Sequence, residues 1–299
     1  MMTKENLIGL LEIAKNAALR AGNYILNHSI TQINVNHKLA GSSLASQLFT
    51  EVDLESERLI RESLSDTFER FQLGWLAEEG SDNGSRLEKP YFWSVDPLDG
   101  TLPFVNGEAG YAVSIALVSN AGEALIGVVF DPVMGDLYHA AKGKGAYLNG
   151  KQIGRNTLID NVFHLYIDRS FHESSRFPLL FEVLTQKLPN IGCKSIETHV
   201  GAGAVMNGCM ALRRGKSAYF KFPKPSAGGG SLWDFSAISA IYKEAECYVS
   251  DIYGNPLDLN RHDSTFMNHR GVLFCTDEAI GNIIKEIYCQ EKSIFNEKL

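Results

Sequence analysis

The stretch YFWSVDPLDGT at residues 91–101 joins an apolar strand pattern to a pair of aspartates. Pro97 has no N–H to give to a strand ladder, so we predict that the strand stops at Asp96. A short turn then leads to Asp99, which brings two carboxylates and the backbone oxygen of Leu98 to one side. Mg²⁺ prefers such hard oxygen ligands in near-octahedral geometry. The stretch therefore predicts a metal-binding turn, and a plain turn is the alternative because Asp, Pro and Gly are all turn residues.

Two further acidic residues stand where a predicted strand ends or a predicted helix begins. Glu78 directly follows the apolar run LGWLA, and Asp234 follows the glycines at 228–230 and opens a helix-like segment. Loops at such boundaries often carry chemistry, although an ordinary helix N-cap is the alternative for Asp234. Gly100 and Thr101 offer backbone N–H groups at a predicted helix N-terminus, which suits a phosphate oxygen.

The segments around this stretch predict a first half of helices followed by strands. Apolar residues recur at helical spacing over residues 5–27, and a second helix begins near Thr50, with Asp53 completing a capping-box pattern. The polar segment 32–47 between them predicts a loop or a hairpin. Short apolar runs over residues 71–138, separated by Gly, Asn and Pro, predict several strands, some of them in antiparallel hairpins.

The second half alternates strand-like and helix-like segments, which is typical of α/β packing. A turn-rich stretch ending near Asn156 separates the two halves. We therefore predict an α+β unit at residues 1–155 with an antiparallel sheet and most of the acidic motifs, and an α/β unit at residues 156–299 with Asp234 and substrate-binding loops.

The composition is that of a globular protein with 299 residues, 44% of them hydrophobic, and a net charge of -7. Its basic residues are scattered, so it lacks the basic face that a nucleic-acid polymer requires. No apolar run approaches the ~18 residues of a membrane span, and the N-terminal pattern is amphipathic rather than a signal peptide. Five cysteines without Cys-x-x-Cys spacing indicate neither a disulfide framework nor a zinc knuckle, and the eight histidines show no ligand spacing. We expect a cytoplasmic protein that binds neither a membrane nor a nucleic-acid polymer.

The acidic motifs resemble, in order and spacing, the signatures of the inositol monophosphatase family. The matching stretches are 76–79, 95–101 and 233–234, with further matches at 127–132, 143–146 and 149–150. The resemblance runs from about residue 5 to residue 280. It implies a layered αβαβα sandwich of the type shared with fructose bisphosphatases, and Mg²⁺-dependent, lithium-sensitive hydrolysis of a phosphomonoester.

The resemblance also implies roles for individual residues. Its metal ligands would be Glu78, Asp96, the backbone oxygen of Leu98, Asp99 and Asp234, holding two or three Mg²⁺ ions, with Mn²⁺ as a substitute. The implied catalytic residues are Glu78, Asp53 and Thr101, of which Asp53 and Thr101 orient the attacking water. Gly100 and Thr101 would donate N–H groups to the phosphate.

The chemistry has a physical basis beside the resemblance. Several carboxylates forced together repel one another, at a large cost in a desolvated site unless cations neutralise them. One bound metal makes hydroxide available near neutral pH, and another stabilises the charge on the leaving oxygen. No covalent phosphoenzyme is needed. The alternative, that Asp96 is an aspartyl nucleophile, fits less well because Asp99 stands beside it.

The substrate is predicted from departures from the family pattern. Gly201, Ala202 and Gly203 align with a substrate-contacting turn, in which many members have Ser or Thr where this chain has Ala202. The glutamate that contacts inositol hydroxyls before the Trp-Asp motif has no counterpart. Lys221 and Lys224 suit a second phosphate instead, or are solvated loop lysines.

Arg169 lies in a stretch that loosely resembles an Arg-Ser-x-His element of bisphosphate nucleotidases, and pairing to a local acid is its alternative. We therefore predict a 3'(2'),5'-bisphosphate nucleotidase, with inositol-1-monophosphatase as the alternative. Fructose-1,6-bisphosphatase and a non-catalytic metal- or phosphate-binding protein are less favoured. The resemblance also allows a homodimer.

Overall fold

The computed structural model describes residues 2–28, 35–37, 48–155 and 161–290. In the segment predicted as a loop or hairpin, strand β1 (Val35–His37) pairs antiparallel with β2 (Leu48–Thr50). The rest of that segment, the side chain of Thr50 in the predicted capping box, and the predicted boundary at Asn156 lie outside the described residues.

Two helices form the first layer. Helix α1 (Lys4–Leu26) begins after Thr3, whose hydroxyl accepts a hydrogen bond from the Asn6 N–H at 3.2 Å. Its apolar face is fully buried, and it packs with α2 (Glu51–Ser63) against the large sheet. The short helix α3 (Ser65–Phe71) follows. Both predicted helices are confirmed to within a residue of their starting points.

A mixed sheet of seven strands, counted over the described ranges, forms the second layer in the order β3-β4-β5-β6-β7-β8-β9. The predicted antiparallel sheet is wrong at its first pair, because residues 78–90 carry the chain back before β4 begins and β3 and β4 therefore run parallel. The later neighbours run antiparallel, as their hairpin patterns predicted. The elements are β3 (Leu73–Ala77), α4 (Ser85–Glu88), β4 (Tyr91–Asp99), α5 (Thr101–Asn106), β5 (Ala112–Ser119), β6 (Ala124–Asp131), β7 (Asp136–Ala141), β8 (Ala146–Leu148) and β9 (Lys151–Ile153).

The predicted end of β4 at Asp96 was wrong. The strand continues to Asp99, because the ladder with β5 shifts register between Asp96, opposite Ser114, and Asp99, opposite Ala112. A bulge of this kind tolerates Pro97, which lacks the N–H that a regular ladder position needs.

A smaller sheet follows in the order β11-β10-β12-β14-β13, as far as the described residues extend. Its first three strands are parallel, and β14 runs antiparallel to its neighbours. The elements are β10 (Val162–Ile167), α6 (Arg169–His172), α7 (Phe177–Lys187), a 3₁₀ turn (Leu188–Ile191), β11 (Ser195–Val200), α8 (Ala204–Leu212), β12 (Lys216–Lys221), α9 (Leu232–Glu244), β13 (Tyr248–Ser250), β14 (Val272–Cys275) and α10 (Glu278–Gln290).

The layers stack as α, β, α, β and α. Helices α8 and α9 lie between the two sheets, where their apolar residues share one core, and α7 and α10 cover the outer face of the small sheet. The predicted layered sandwich is confirmed. Because α9 packs on the large sheet, the division into two units stays a prediction. Over the described part of the chain, no helix has both the length and the apolar character needed to cross a bilayer.

Candidate active site

Parallel pairing of β3 with β4 brings the first two acids together. Ala77 lies opposite Val95, and the N–H of Glu78 donates to the Val95 carbonyl at 3.2 Å. Each strand therefore delivers its next residue, Glu78 or Asp96, to the same edge. Asp96 is buried and Glu78 is half-buried. The bulge after Asp96 closes a tight turn, in which the Leu98 N–H donates to Asp96 Oδ1 at 3.0 Å.

The third acid comes from the start of α9. Ser231, and not Asp234, is the N-cap residue, and the two form a reciprocal capping box. The Ser231 N–H donates to Asp234 Oδ2 at 2.6 Å, which fixes the carboxylate at the first turn. The alternative that Asp234 is an ordinary N-cap residue is therefore wrong, because the N-cap lies three residues earlier, at Ser231.

Glu78, Asp96 and Asp234 each offer a carboxylate oxygen, and these oxygens lie within 4.8 Å of one another. Asp96 Oδ2 is fully buried, and no donor among the described residues reaches it. It could pair with Asp234 only through a shared proton. A buried carboxylate oxygen left without a donor is costly, whereas a divalent cation would satisfy it. The donor set consists of hard oxygens, so it fits Mg²⁺ or Mn²⁺.

The pKa values of the cluster reflect this crowding. Burial first, and then the charges of Glu78, Asp99 and Asp234, raise the pKa of Asp96 well above its usual range. Burial and Asp234 likewise raise the pKa of Asp99. Burial and Glu78 raise the pKa of Asp234 to about 6. Without a cation, the cluster therefore retains protons at a pH at which ordinary carboxyl groups have lost theirs.

Asp99 lies beside this cluster but outside its tight group. Its Oδ1 accepts the Ala204 N–H at 3.1 Å and its Oδ2 accepts the Val205 N–H at 2.9 Å, at the N-terminus of α8. The close contact between Asp99 and the start of α8 requires glycine at 203, since a Cβ there would lie 2.2 Å from Asp99 Oδ2. Each carboxylate oxygen has a second lone pair for a cation, and the ligand role of Asp99 stays a prediction.

The two residues predicted to orient water lie in contact. The Thr101 hydroxyl, at the start of α5, lies 3.2 Å from Asp53 Oδ1 on α2 and 3.3 Å from the Leu98 carbonyl oxygen. Both side chains are buried. Thr101 lines the cavity described next, whereas Asp53 stands behind it. Their catalytic role stays a prediction.

A cavity of about 880 Å³ lies over the carboxylates. All the predicted phosphate- and substrate-binding residues line it: Gly100, Thr101, Gly201, Ala202, Gly203 and Lys221. The Gly203 N–H donates to the Gly110 carbonyl at 2.8 Å, so the 201–203 turn packs on the loop after α5. Gly100 has a φ of 85°, which a side chain would strain.

Basic side chains line the other wall. Lys221 Nζ lies 2.8 Å from Asp168 Oδ2. Burial lowers the pKa of Lys221, but Asp168 and Asp234 outweigh it, so the net pKa is raised and the ammonium stays charged. Arg169 lies 3.6 Å from Glu108, and Lys224 and Arg176 also face the cavity. Sequence reasoning missed Arg176, which follows no motif and precedes α7 by one residue.

The chain is similar to known proteins over most of its length. Residues 7–288 match the sequence signature of the inositol monophosphatase family. An inositol-1-monophosphatase of Bacillus subtilis is 27% identical over 88% of this chain and 90% of its own length. The Nus factor SuhB of Xylella fastidiosa is 32% identical over 82% of each chain. A solved structure of SaIMPase-II with 2'AMP bound has a TM-score of 0.69 and 21% identity, covering 96% of each chain.

Proposed function

The chain belongs to the inositol monophosphatase family, and we propose that it hydrolyses a small phosphomonoester with Mg²⁺ held by Glu78, Asp96, Asp99 and Asp234. Members of this family are phosphatases, so the chain is a phosphoric monoester hydrolase. The observation that carries the proposal is the cluster of Glu78, Asp96 and Asp234, whose carboxylates each place an oxygen within 4.8 Å of the others. Within it, Asp96 Oδ2 is buried and no donor among the described residues reaches it. When bound, Mg²⁺ lowers the pKa of a coordinated water and stabilises charge on the leaving oxygen.

The protein's own groups would handle the water and the phosphate. A Thr101 hydroxyl that donates its proton to Asp53 has its lone pairs free to accept a proton of the attacking water. That acceptor would aim the water oxygen at phosphorus. The first N–H groups of α5, at Gly100 and Thr101, have no helical partners and suit a phosphate oxygen.

For the substrate we favour a 3'(2'),5'-bisphosphate nucleotide. Four basic side chains line the cavity, and a second phosphate gains more from them than a neutral polyol does. They are Arg169, Arg176, Lys221 and Lys224. A volume of about 880 Å³ is ample for a nucleotide. Inositol 1-phosphate is the alternative, supported by the name of the Bacillus relative at 27% identity.

A non-catalytic metal- or phosphate-binding role is less favoured than hydrolysis, although several relatives carry the name Nus factor SuhB. The contact between Asp53 and Thr101 weighs against it, since a binding protein needs no pair of groups to orient water. Catalysis would also explain why Thr101 lines the cavity within reach of the Leu98 carbonyl.

The experiment is a comparison of phosphate release from adenosine 3',5'-bisphosphate, inositol 1-phosphate and fructose 1,6-bisphosphate, with Mg²⁺ and after chelation. We expect Mg²⁺-dependent release and the highest kcat/KM for the nucleotide. A higher kcat/KM for inositol 1-phosphate would overturn the substrate assignment alone. No release from any of the three with Mg²⁺ would favour the non-catalytic role.

A further inference from the structure

A second group of metal-ligand side chains lies on the small sheet, apart from the carboxylates. Strands β10 and β11 are parallel and pair His164 with Glu197 and Tyr166 with His199. Alternate residues of a strand share a face, so His164, Glu197 and His199 project together from the β11 edge. The sequence indicated no ligand spacing for the histidines, because the set is assembled by strand register.

The donor atoms already stand at metal-ligand spacing. His164 Nδ1 lies 3.1 Å from His199 Nε2 and 3.4 Å from Glu197 Oε2, and His199 Nε2 lies 3.6 Å from Glu197 Oε1. A tetrahedral Zn²⁺ with ligands at about 2.0–2.1 Å holds them roughly 3.3–3.4 Å from one another. Little movement is therefore needed to bring these atoms around one ion.

The surroundings hold the rings, and the Glu197 side chain is exposed. The Tyr166 ring stacks on His199 at 4.3 Å and 14°, and the Arg214 guanidinium lies 3.3 Å from the Tyr166 hydroxyl. His164 is buried, whereas the Glu197 side chain is 56% exposed. An ion could enter from the Glu197 side and keep a water as its fourth ligand.

The charges around the histidine cluster balance one another. Burial lowers the pKa of His199, with Arg214 and His164 acting in the same direction and Glu197 against it. Arg214 opposes a cation, and the Glu197 carboxylate offsets it.

We propose that His164, Glu197 and His199 bind a borderline transition-metal ion of the Zn²⁺ class. Two imidazoles and one carboxylate form a ligand set that Zn²⁺ accepts, while Mg²⁺ prefers oxygen. The site is distinct in chemistry from the carboxylate cluster. His199 also lies near the end of β11, two residues before the 201–203 turn of the cavity wall. A bound ion would therefore anchor the strand that leads into that wall.

The test is a Co²⁺ titration of the full chain, without an affinity tag and with excess Mg²⁺ to fill the carboxylate cluster. Four-coordinate Co²⁺ with nitrogen ligands absorbs visible light far more strongly than octahedral Co²⁺ on oxygen ligands. We expect the strong bands in the wild type and their displacement by Zn²⁺. Glu197→Gln should weaken Co²⁺ affinity by about 100-fold or more, since loss of a residue that only supports a ligand already costs about 10- to 100-fold, and His199→Ala should abolish the bands.

His262→Ala, at an exposed histidine outside the cluster, is the matched control and should keep the bands. Circular dichroism checks that each variant is folded, and Glu197→Gln alters only an exposed position. Absence of the strong bands in the wild type would overturn the proposal. So would bands of equal strength and affinity in wild type and in folded Glu197→Gln and His199→Ala.

Discussion

The carboxylate cluster and the histidine cluster differ in what they cost the fold when they hold no ion. Glu78, Asp96 and Asp234 are like-charged and largely buried, so their pKa values are driven up and one oxygen has no donor. His164 and His199 can instead share a hydrogen bond at 3.1 Å. The first group is therefore strained without a cation, whereas the second is stable either way. The carboxylate cluster therefore needs a cation to be stable, whereas the histidine cluster can bind a cation but does not need one.

The largest expected effect is loss of activity on replacing Asp96. Asp96→Asn removes the charge between Glu78 and Asp234 and should lower kcat/KM about 10³-fold or more, since metal stabilisation supplies several kcal/mol. The fold should persist, because an uncharged amide relieves repulsion in the cluster. Phosphate release and circular dichroism measure both. Asp136→Asn, on the same sheet and outside the cavity, should stay close to wild type.

A smaller loss of activity is expected on replacing Thr101, which contacts Asp53. Thr101→Ala removes the hydroxyl that bonds Asp53 and should lower kcat about 10²-fold, within the usual range for acid–base groups. The Mg²⁺ concentration for half-maximal rate should change little. Thr101→Ser retains the hydroxyl and should restore most of the rate. Unchanged turnover in Thr101→Ala would remove the pair from the mechanism.

Substrate choice should respond to Lys221, the half-buried lysine of the cavity wall. Lys221→Gln removes the charge beside Asp168 and should reduce kcat/KM for adenosine 3',5'-bisphosphate about tenfold, the usual worth of one charge-assisted hydrogen bond. The value for inositol 1-phosphate should fall less. Lys151→Gln, at an exposed position of β9, serves as the control. An equal loss for both substrates would mean that Lys221 supports the site without selecting the second phosphate.

The smallest expected effect is on the stability of the fold, and it should come from the carboxylate cluster and not from the histidine cluster. The pKa of Asp234 is raised from 3.8 to about 6, so the chelated protein loses stability as pH rises through about 6, because the unfolded chain ionises more readily. This ionisation lowers the free energy of unfolding by up to about 3 kcal/mol, which corresponds to a few degrees in Tm. Asp234→Asn should reduce the loss and leave the part that comes from Asp96 and Asp99, and Mg²⁺ should reverse the loss in the wild type. A wild-type pH profile identical to that of Asp234→Asn would contradict the assigned repulsion.

The acids of the carboxylate cluster could be predicted because each follows a local signal. Glu78 and Asp96 stand after apolar strand patterns, and Asp234 stands after a glycine-rich stretch. The bulge that extends β4 to Asp99 was not predictable, since it depends on the ladder with β5. The engagement of Asp99 by α8 likewise depends on packing between distant segments.

The histidine cluster illustrates the limit more sharply. His164 and His199 belong to strands separated by α7, and only their pairing register sets the rings side by side. A sequence offers no direct measure of that register. Arg176 is similar, because its place on the cavity wall follows from where α7 begins.

The most direct test of the account is anomalous diffraction from crystals soaked in Mn²⁺. We predict anomalous peaks bounded by the carboxylates of Glu78, Asp96 and Asp234, with Asp96 Oδ2 as a ligand. A saturating soak that leaves this space without a peak, or a structure in which these three side chains diverge, would contradict it.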